Sequence, residues 1–238
     1  MRTRLTSVLV LAAAATLLAG TAGAATLSGT IKFEGTAPAL KPIAMDADPN
    51  CARKHSTAVA NEMLVLGPGN TVANILVRVK GGLPAGKTYP APSAPAVIDQ
   101  NGCQYTPHVL GMMVGQKLKI KNSDGLLHNV HALPKTNAEF NRAMPATMTE
   151  FDHTFDKAED VFRVKCDVHP WMGSWVAVMA HPFFAVTGKD GTFKIDGLPA
   201  GTYEIEAWHE KLPAKTASVT VAADEKKTVD FTLTAPAR

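Results

Sequence analysis

Between Thr192 and Leu233 the apolar residues fall on alternate positions: Phe193 and Ile195, then Tyr203, Ile205 and Ala207, then Ala217, Val219 and Val221, then Val229, Phe231 and Leu233. Successive side chains of an extended strand point to opposite faces, so a period of two marks half-buried strands, whereas a helix needs apolar positions three and four apart. Asp190-Gly191 and Leu198-Pro199-Ala200-Gly201 supply the turns between them. The alternation recurs upstream in runs of mostly four to eight residues that stop at Gly, Pro, Asn or Asp. It predicts strands at Thr26–Phe33, Ala73–Lys80, Lys117–Asn122, Leu127–Ala132, Glu150–Phe155, Asp160–Cys166 and Trp175–Ala180, then at Phe184–Thr187, Thr192–Asp196, Thr202–Trp208, Thr216–Val221 and Lys227–Leu233. Helical periodicity is scarce, so the expected fold is all-β. Gly81–Pro95 reads as a loop, and Leu133–Thr149 as a long connection or one short helix around Ala138–Met144.

The N-terminus carries different information. Arg2 and Arg4 precede an uncharged run from Leu5 to Gly20, followed by Ala22-Gly23-Ala24. A basic start, a short apolar stretch and a small-x-small exit read as a secretory signal over residues 1–24. The stretch is short for a spanning helix, and no later segment is long and apolar enough to span. A periplasmic or secreted chain without a membrane span after cleavage is the expectation. Removing Arg2 and Arg4 from the 24 basic residues leaves 22 against 21 acidic ones, so the net charge falls from +3 to +1. A nearly neutral chain with 46% hydrophobic residues is neither a disordered acidic tail nor a basic nucleic-acid binder.

Chemistry concentrates in Cys166-Asp167-Val168-His169-Pro170-Trp171-Met172, directly after a predicted strand. A thiol, an imidazole and a thioether at this spacing, in a loop joining two adjacent strands, can turn toward one point. His128 stands at the start of another predicted strand, just past a Gly-containing turn. One thiolate, two imidazoles and one thioether form a soft donor set that suits copper, in the arrangement of mononuclear electron-transfer sites. Zinc takes Cys, His or carboxylate ligands, and a methionine is a poor choice for it. A catalytic Cys-His pair lacks any accompanying oxyanion-hole or base-orienting signal.

At these residues the chain resembles the cupredoxins, with a ligand loop of the amicyanin type. The likeness runs over roughly Gln104–Val178 and includes Tyr105-Thr106-Pro107, Val114-Gly115-Gln116, Asn122-x-Asp124 and His128-Asn129-Val130, in plastocyanin-like order. It implies a Greek-key β-sandwich holding one type 1 copper on His128, Cys166, His169 and Met172, with Asn129 tying the two ligand segments together. Separately, the Asp-Gly-x-Phe-x-Ile-x-x-Leu-Pro-x-Gly-x-Tyr pattern from Asp190 to Tyr203 resembles the carboxypeptidase regulatory-like (transthyretin-like) domains. That likeness implies a smaller, non-catalytic β-sandwich. The expected division is a copper domain with an extended N-terminal segment over residues 25–182 and the small sandwich over 183–238. The small sandwich either stands alone or borrows the strand Thr26–Phe33.

With Cys166 given to metal, Cys51 and Cys103 are left as an even pair in an oxidising compartment, which most simply forms a disulfide. The alternative joins them to His55 and His108 as a second metal site. His131, three residues past His128 on a strand, faces the other side; His153, His181 and His209 lack partners at ligand spacing. Met112, Met113, Met144 and Met148 read as core residues more readily than as a copper-collecting surface. Trp171, Pro170, Leu126 and Leu127 are expected to form an apolar collar around an exposed edge of His169. The expected function is a carrier of single electrons to and from a redox protein partner, a cytochrome or oxidoreductase, through a transient interface, and not an enzyme. A copper chaperone or store, or a docking module with a copper domain, are the alternatives.

Overall fold

The computed structural model of the chain describes residues 23–235. The expected signal segment lies outside the described residues apart from Gly23 and Ala24. Among the described residues no helix is long and apolar enough to cross a membrane. The fold is all-β: one four-residue helix, Pro49–Ala52, and one 3-10 turn, Pro68–Asn70, accompany strands that build two sandwiches.

In the smaller sandwich the strand Ala25–Glu34 is the centre of one sheet. It pairs antiparallel with Thr192–Leu198 on one side and parallel with Lys226–Thr228 and then Phe231–Thr234 on the other. The facing sheet runs Phe184–Val186, Leu76–Gly81, Gly201–Trp208, Lys215–Val221, antiparallel throughout. Leu27, Ile31 and Phe33 pack with Val77, Val79, Tyr203, Ile205 and Val219 in one core, as the period-two pattern requires. The predicted strand Lys227–Leu233 is two strands, because Asp230 turns its carboxylate onto the backbone N–H of Thr30 at 2.8 Å and breaks the ladder.

The sandwich therefore takes Ala25–Glu34 and also Leu76–Gly81, and a boundary between residues 182 and 183 does not follow the packing. The first four residues of Leu76–Gly81 are buried: Val77 and Val79 enter the small core, while Leu76 joins Val109, Ala177 and Met179 between the sandwiches.

The larger sandwich occupies the chain between these visits. One sheet runs Val109–Met113, Gly173–Met179, Glu159–Lys165, His128–Ala132, Phe140–Met144; the other runs Tyr105–Thr106, Ala96–Gln100, Lys117–Asn122, Glu150–Thr154. Val109–Met113 with Gly173–Met179, and Ala96–Gln100 with Lys117–Asn122, are parallel pairs. Parallel neighbours cannot be joined by a tight hairpin, so the connections cross between sheets. The core holds Ile98, Leu118, Ile120, Val130, Phe162, Val164 and Val176.

The short helix around Ala138–Met144 is not formed. Phe140–Met144 is a strand pairing antiparallel with His128–Ala132, and the Phe140 ring lies 4.3 Å from His153 and 6.3 Å from Phe151. Ala, Glu, Arg and Met favour a helix weakly, and a sheet edge with aromatic partners overrides them. The two sandwiches meet where the Trp175 and Trp208 rings lie 5.6 Å apart, and where Arg78 reaches both Glu206 and Asp160. Gly111 is needed at this junction, because a Cβ there would stand 2.7 Å from the Phe184 ring.

Candidate metal centre

Lys117–Asn122 leads into a turn in which Asn122 Nδ2 donates to the Leu126 carbonyl at 2.9 Å and Gly125 takes φ +64°. The turn delivers His128 as the first residue of its strand. Glu159–Lys165 pairs antiparallel with that strand, Lys165 opposite His131, so Cys166 leaves the sheet at the end where His128 enters it. The loop from Cys166 is closed on itself. Cys166 N–H donates to the Met172 carbonyl at 3.2 Å, Met172 N–H to the His169 carbonyl at 2.9 Å, and His169 N–H to Cys166 Sγ at 3.4 Å.

The result is a convergence of donors. His128 Nδ1 and His169 Nδ1 face each other at 2.9 Å, and Cys166 Sγ lies 3.9 Å from His169 Nδ1. Ligand atoms of His128, Cys166 and His169 all fall within 4.8 Å of one another. These three and Met172 are no more than 2% exposed. Asn129 Oδ1 accepts from Cys166 Sγ at 3.2 Å and from the backbone N–H groups of Asp167 and Val168, joining the two ligand segments.

The outer nitrogens of both rings are already engaged. His128 Nε2 lies 2.9 Å from Asp124 Oδ2, and His169 Nε2 lies 3.0 Å from Asp48 Oδ2. A carboxylate only accepts, so each Nε2 donates and each Nδ1 is left with a lone pair directed inward. Two lone pairs face to face beside a thiol repel unless a proton or a cation lies among them. Around one metal ion, bonds of about 2.0–2.3 Å place neighbouring N and S ligands roughly 3–4 Å apart, so the donor set fits.

In the metal-free chain a proton on His128 takes that place. Burial pushes the Asp124 carboxyl up, but His128, the Cys103 N–H and Lys54 outweigh it and bring it down to about 2. Burial lowers His128, and Asp124 with Cys166 more than reverses that, to about 9. Burial likewise raises the Cys166 thiol, which His128 and neighbouring N–H groups pull down to about 7. A thiol near neutrality is a ready thiolate ligand.

One expectation needs correction. The edge of His169 is not exposed: the imidazole is buried, covered by Asp48 and by Trp171, whose ring centroid lies 5.1 Å away and whose Nε1 donates to the Cys103 carbonyl. Only Leu127 and Pro170 of the four collar residues are exposed; Leu126 is half-buried. Val168, directly before His169, is exposed as well, at 45% against 51% for Leu127. At Cys51 and Cys103 the expected disulfide is formed, and the alternative of a second metal site is not. His55 lies on the Gly102 carbonyl and His108 is held by Glu210. His131 points away from the centre toward Asp167 and Glu139. Asp48 and Asp124 are site residues that motif spacing alone did not mark.

The family model of the carboxypeptidase regulatory-like domain matches residues 176–234. No curated protein matches the chain. Its neighbours among solved structures are cupredoxins. A purple cupredoxin from Nitrosopumilus maritimus is 25% identical, over 35% of this chain and 99% of that one, with a TM-score of 0.30. An amicyanin mutant in its Cu(I) form is 20% identical, over 43% of this chain and 98% of that one, with a TM-score of 0.32. The copper-containing nitrite reductase of Thermus scotoductus SA-01 is 19% identical, over 42% of this chain, with a TM-score of 0.33. The chain spans 25% of that reductase's length.

Proposed function

We propose that this is an exported, mononuclear type 1 copper protein that carries single electrons. Cys166 would supply a thiolate ligand, His128 and His169 imidazole ligands through Nδ1, and Met172 a thioether. The observation that carries the reading is the convergence of a buried thiol, free of any disulfide, with two inward Nδ1 atoms. The thiolate and thioether favour copper over zinc, and copper when bound supplies one-electron exchange between Cu(II) and Cu(I).

The chain's own part is to hold the donors still. Asn129, the 166–172 loop bonds and the His128 ladder fix them before any ion arrives. The redox partner, a cytochrome or oxidoreductase, meets the apolar surface of Leu127, Val168 and Pro170 in a small, short-lived interface. The protein transforms no substrate of its own.

Copper-loaded, oxidised protein is expected to show intense visible thiolate-to-copper absorption at one copper per chain, and Cys166→Ser to abolish it. A colourless oxidised sample, or colour that survives Cys166→Ser, overturns the reading. A colourless chain that binds Cu(I) tightly instead identifies a copper store or chaperone.

A further inference from the structure

We infer that Asp48 and Asp124 are paired positioning residues that set the reduction potential of the centre through the outer nitrogens of its two histidines, a reading that rests on the copper assignment above. Both contacts are built by one device, the Cys51–Cys103 disulfide. On the first half of the clip, Asp48 caps the helix Pro49–Ala52, its Oδ1 accepting from Asn50 N–H at 2.8 Å while Oδ2 faces His169 Nε2. Cys51 within that helix anchors it to Cys103, the two Cα atoms 5.6 Å apart.

The second half of the clip holds the other carboxylate. Asp124 accepts from the backbone N–H groups of Gly102 at 2.7 Å and Cys103 at 2.8 Å while its Oδ2 meets His128 Nε2 at 2.9 Å. Lys54, two residues past the helix, closes the arrangement with Nζ 3.2 Å from Asp124 Oδ1 and 2.9 Å from its carbonyl. Neither carboxylate touches the donor atoms. Each takes the far N–H of a ring whose near nitrogen faces Cys166.

An imidazole that gives its outer N–H to a carboxylate is a stronger donor through its inner nitrogen. Stronger donation favours Cu(II) over Cu(I) and lowers the potential. Two such carboxylates, one per histidine, act in the same direction. Asp48 has a second effect, because it closes the edge of His169 to solvent although the adjoining Pro170 is exposed. The N-terminal segment is thus part of the redox centre and not an appendage to it.

The test uses the full chain loaded with copper. Asp48→Asn removes the charge and leaves one amide oxygen, which can accept from Asn50 N–H or from His169 but not from both, and Asp48→Glu restores the charge. The Asn variant is expected to keep the visible band and to shift at least tenfold toward Cu(I), a rise of about 59 mV for one electron, with Glu returning part of it. Asp124→Asn is expected to move the potential the same way. Because Asp124 is buried and that variant could fail to fold, the half-exposed Asp48 decides the matter. An Asp48→Asn protein with the band intact and the potential unmoved overturns the inference and leaves the copper reading standing. A wild-type protein without the band overturns both.

Discussion

His209 is buried just after Gly201–Trp208, and its Nδ1 accepts from the backbone N–H groups of Lys211 and Leu212, both at 3.1 Å. Only a neutral ring can accept there. Burial holds its pKa well below the usual histidine value, at about 4, with His108 and Lys211 pressing the same way and Glu210 opposing them. The unfolded chain takes up the proton near 6.5, so this contribution is complete above pH 6.5 and is lost as pH falls toward 4. His209→Gln is expected to remove on the order of 2–3 kcal/mol of acid-induced destabilisation over that window, read as the wild-type minus variant difference in urea unfolding between pH 7.5 and 4.5. In the metal-free chain His128 runs the other way: its contribution is complete below pH 6.5 and lost as pH rises through about 9. At this scale the proposed ligands Cys166, His169 and Met172 were legible because one short loop carries all three. Asp48 was not, because its partner His169 stands 121 residues away and an aspartate before a proline has an ordinary reading as a helix cap.

A four-residue helix cannot persist alone in water, since nucleation costs more than so few hydrogen bonds return. Pro49–Ala52 stands because its cap, its proline start and the Cys51–Cys103 bond hold it on the larger sandwich. The bond spans 52 residues, and removing it with Cys51→Ala and Cys103→Ala is expected to cost about 4 kcal/mol by freeing the unfolded chain. Chemical denaturation under non-reducing conditions measures this. Among the strands, those with one buried face were legible from their alternation, as in Lys117–Asn122 and Thr192–Leu198. Ala96–Gln100 was not, since Asp99 and Gln100 end it in polar residues although Gln100 is fully buried and bonded to the Lys121 carbonyl. Val109–Met113 was hidden by Gly111, whose missing side chain makes room for Phe184.

The two sandwiches share chain as well as surface. Removing residues 184–238 takes away both neighbours of Ala25–Glu34 and the Gly201–Trp208 partner of Leu76–Gly81. Leu27, Ile31, Phe33, Val77 and Val79 would then face water. That truncation is expected to lower the melting temperature of the whole chain and to leave most of it insoluble. A truncated protein that melts like the full one would show that the larger sandwich stands independently. The split was only partly legible in the sequence: the strand pattern showed Thr26–Phe33 as a candidate for the small sandwich, but Leu76–Gly81, far upstream of the small sandwich's other strands, gave no sign of which core it serves.

This nesting orders events in time. Thr30 waits for Asp230, 200 residues later, and Ala25–Glu34 has no sheet partner until Thr192–Leu198 emerges. Ala96–Met179, which holds the four proposed ligands, is contiguous in the chain and can collapse first, whereas the long-range pairings of the outer sandwich close slowly. The last strands then act as a latch on a nearly finished interior. A newly made chain passes through a stage in which the loop Cys166–Met172 is shaped and the strand Ala25–Glu34 is still an unpaired edge, open to a wrong neighbour.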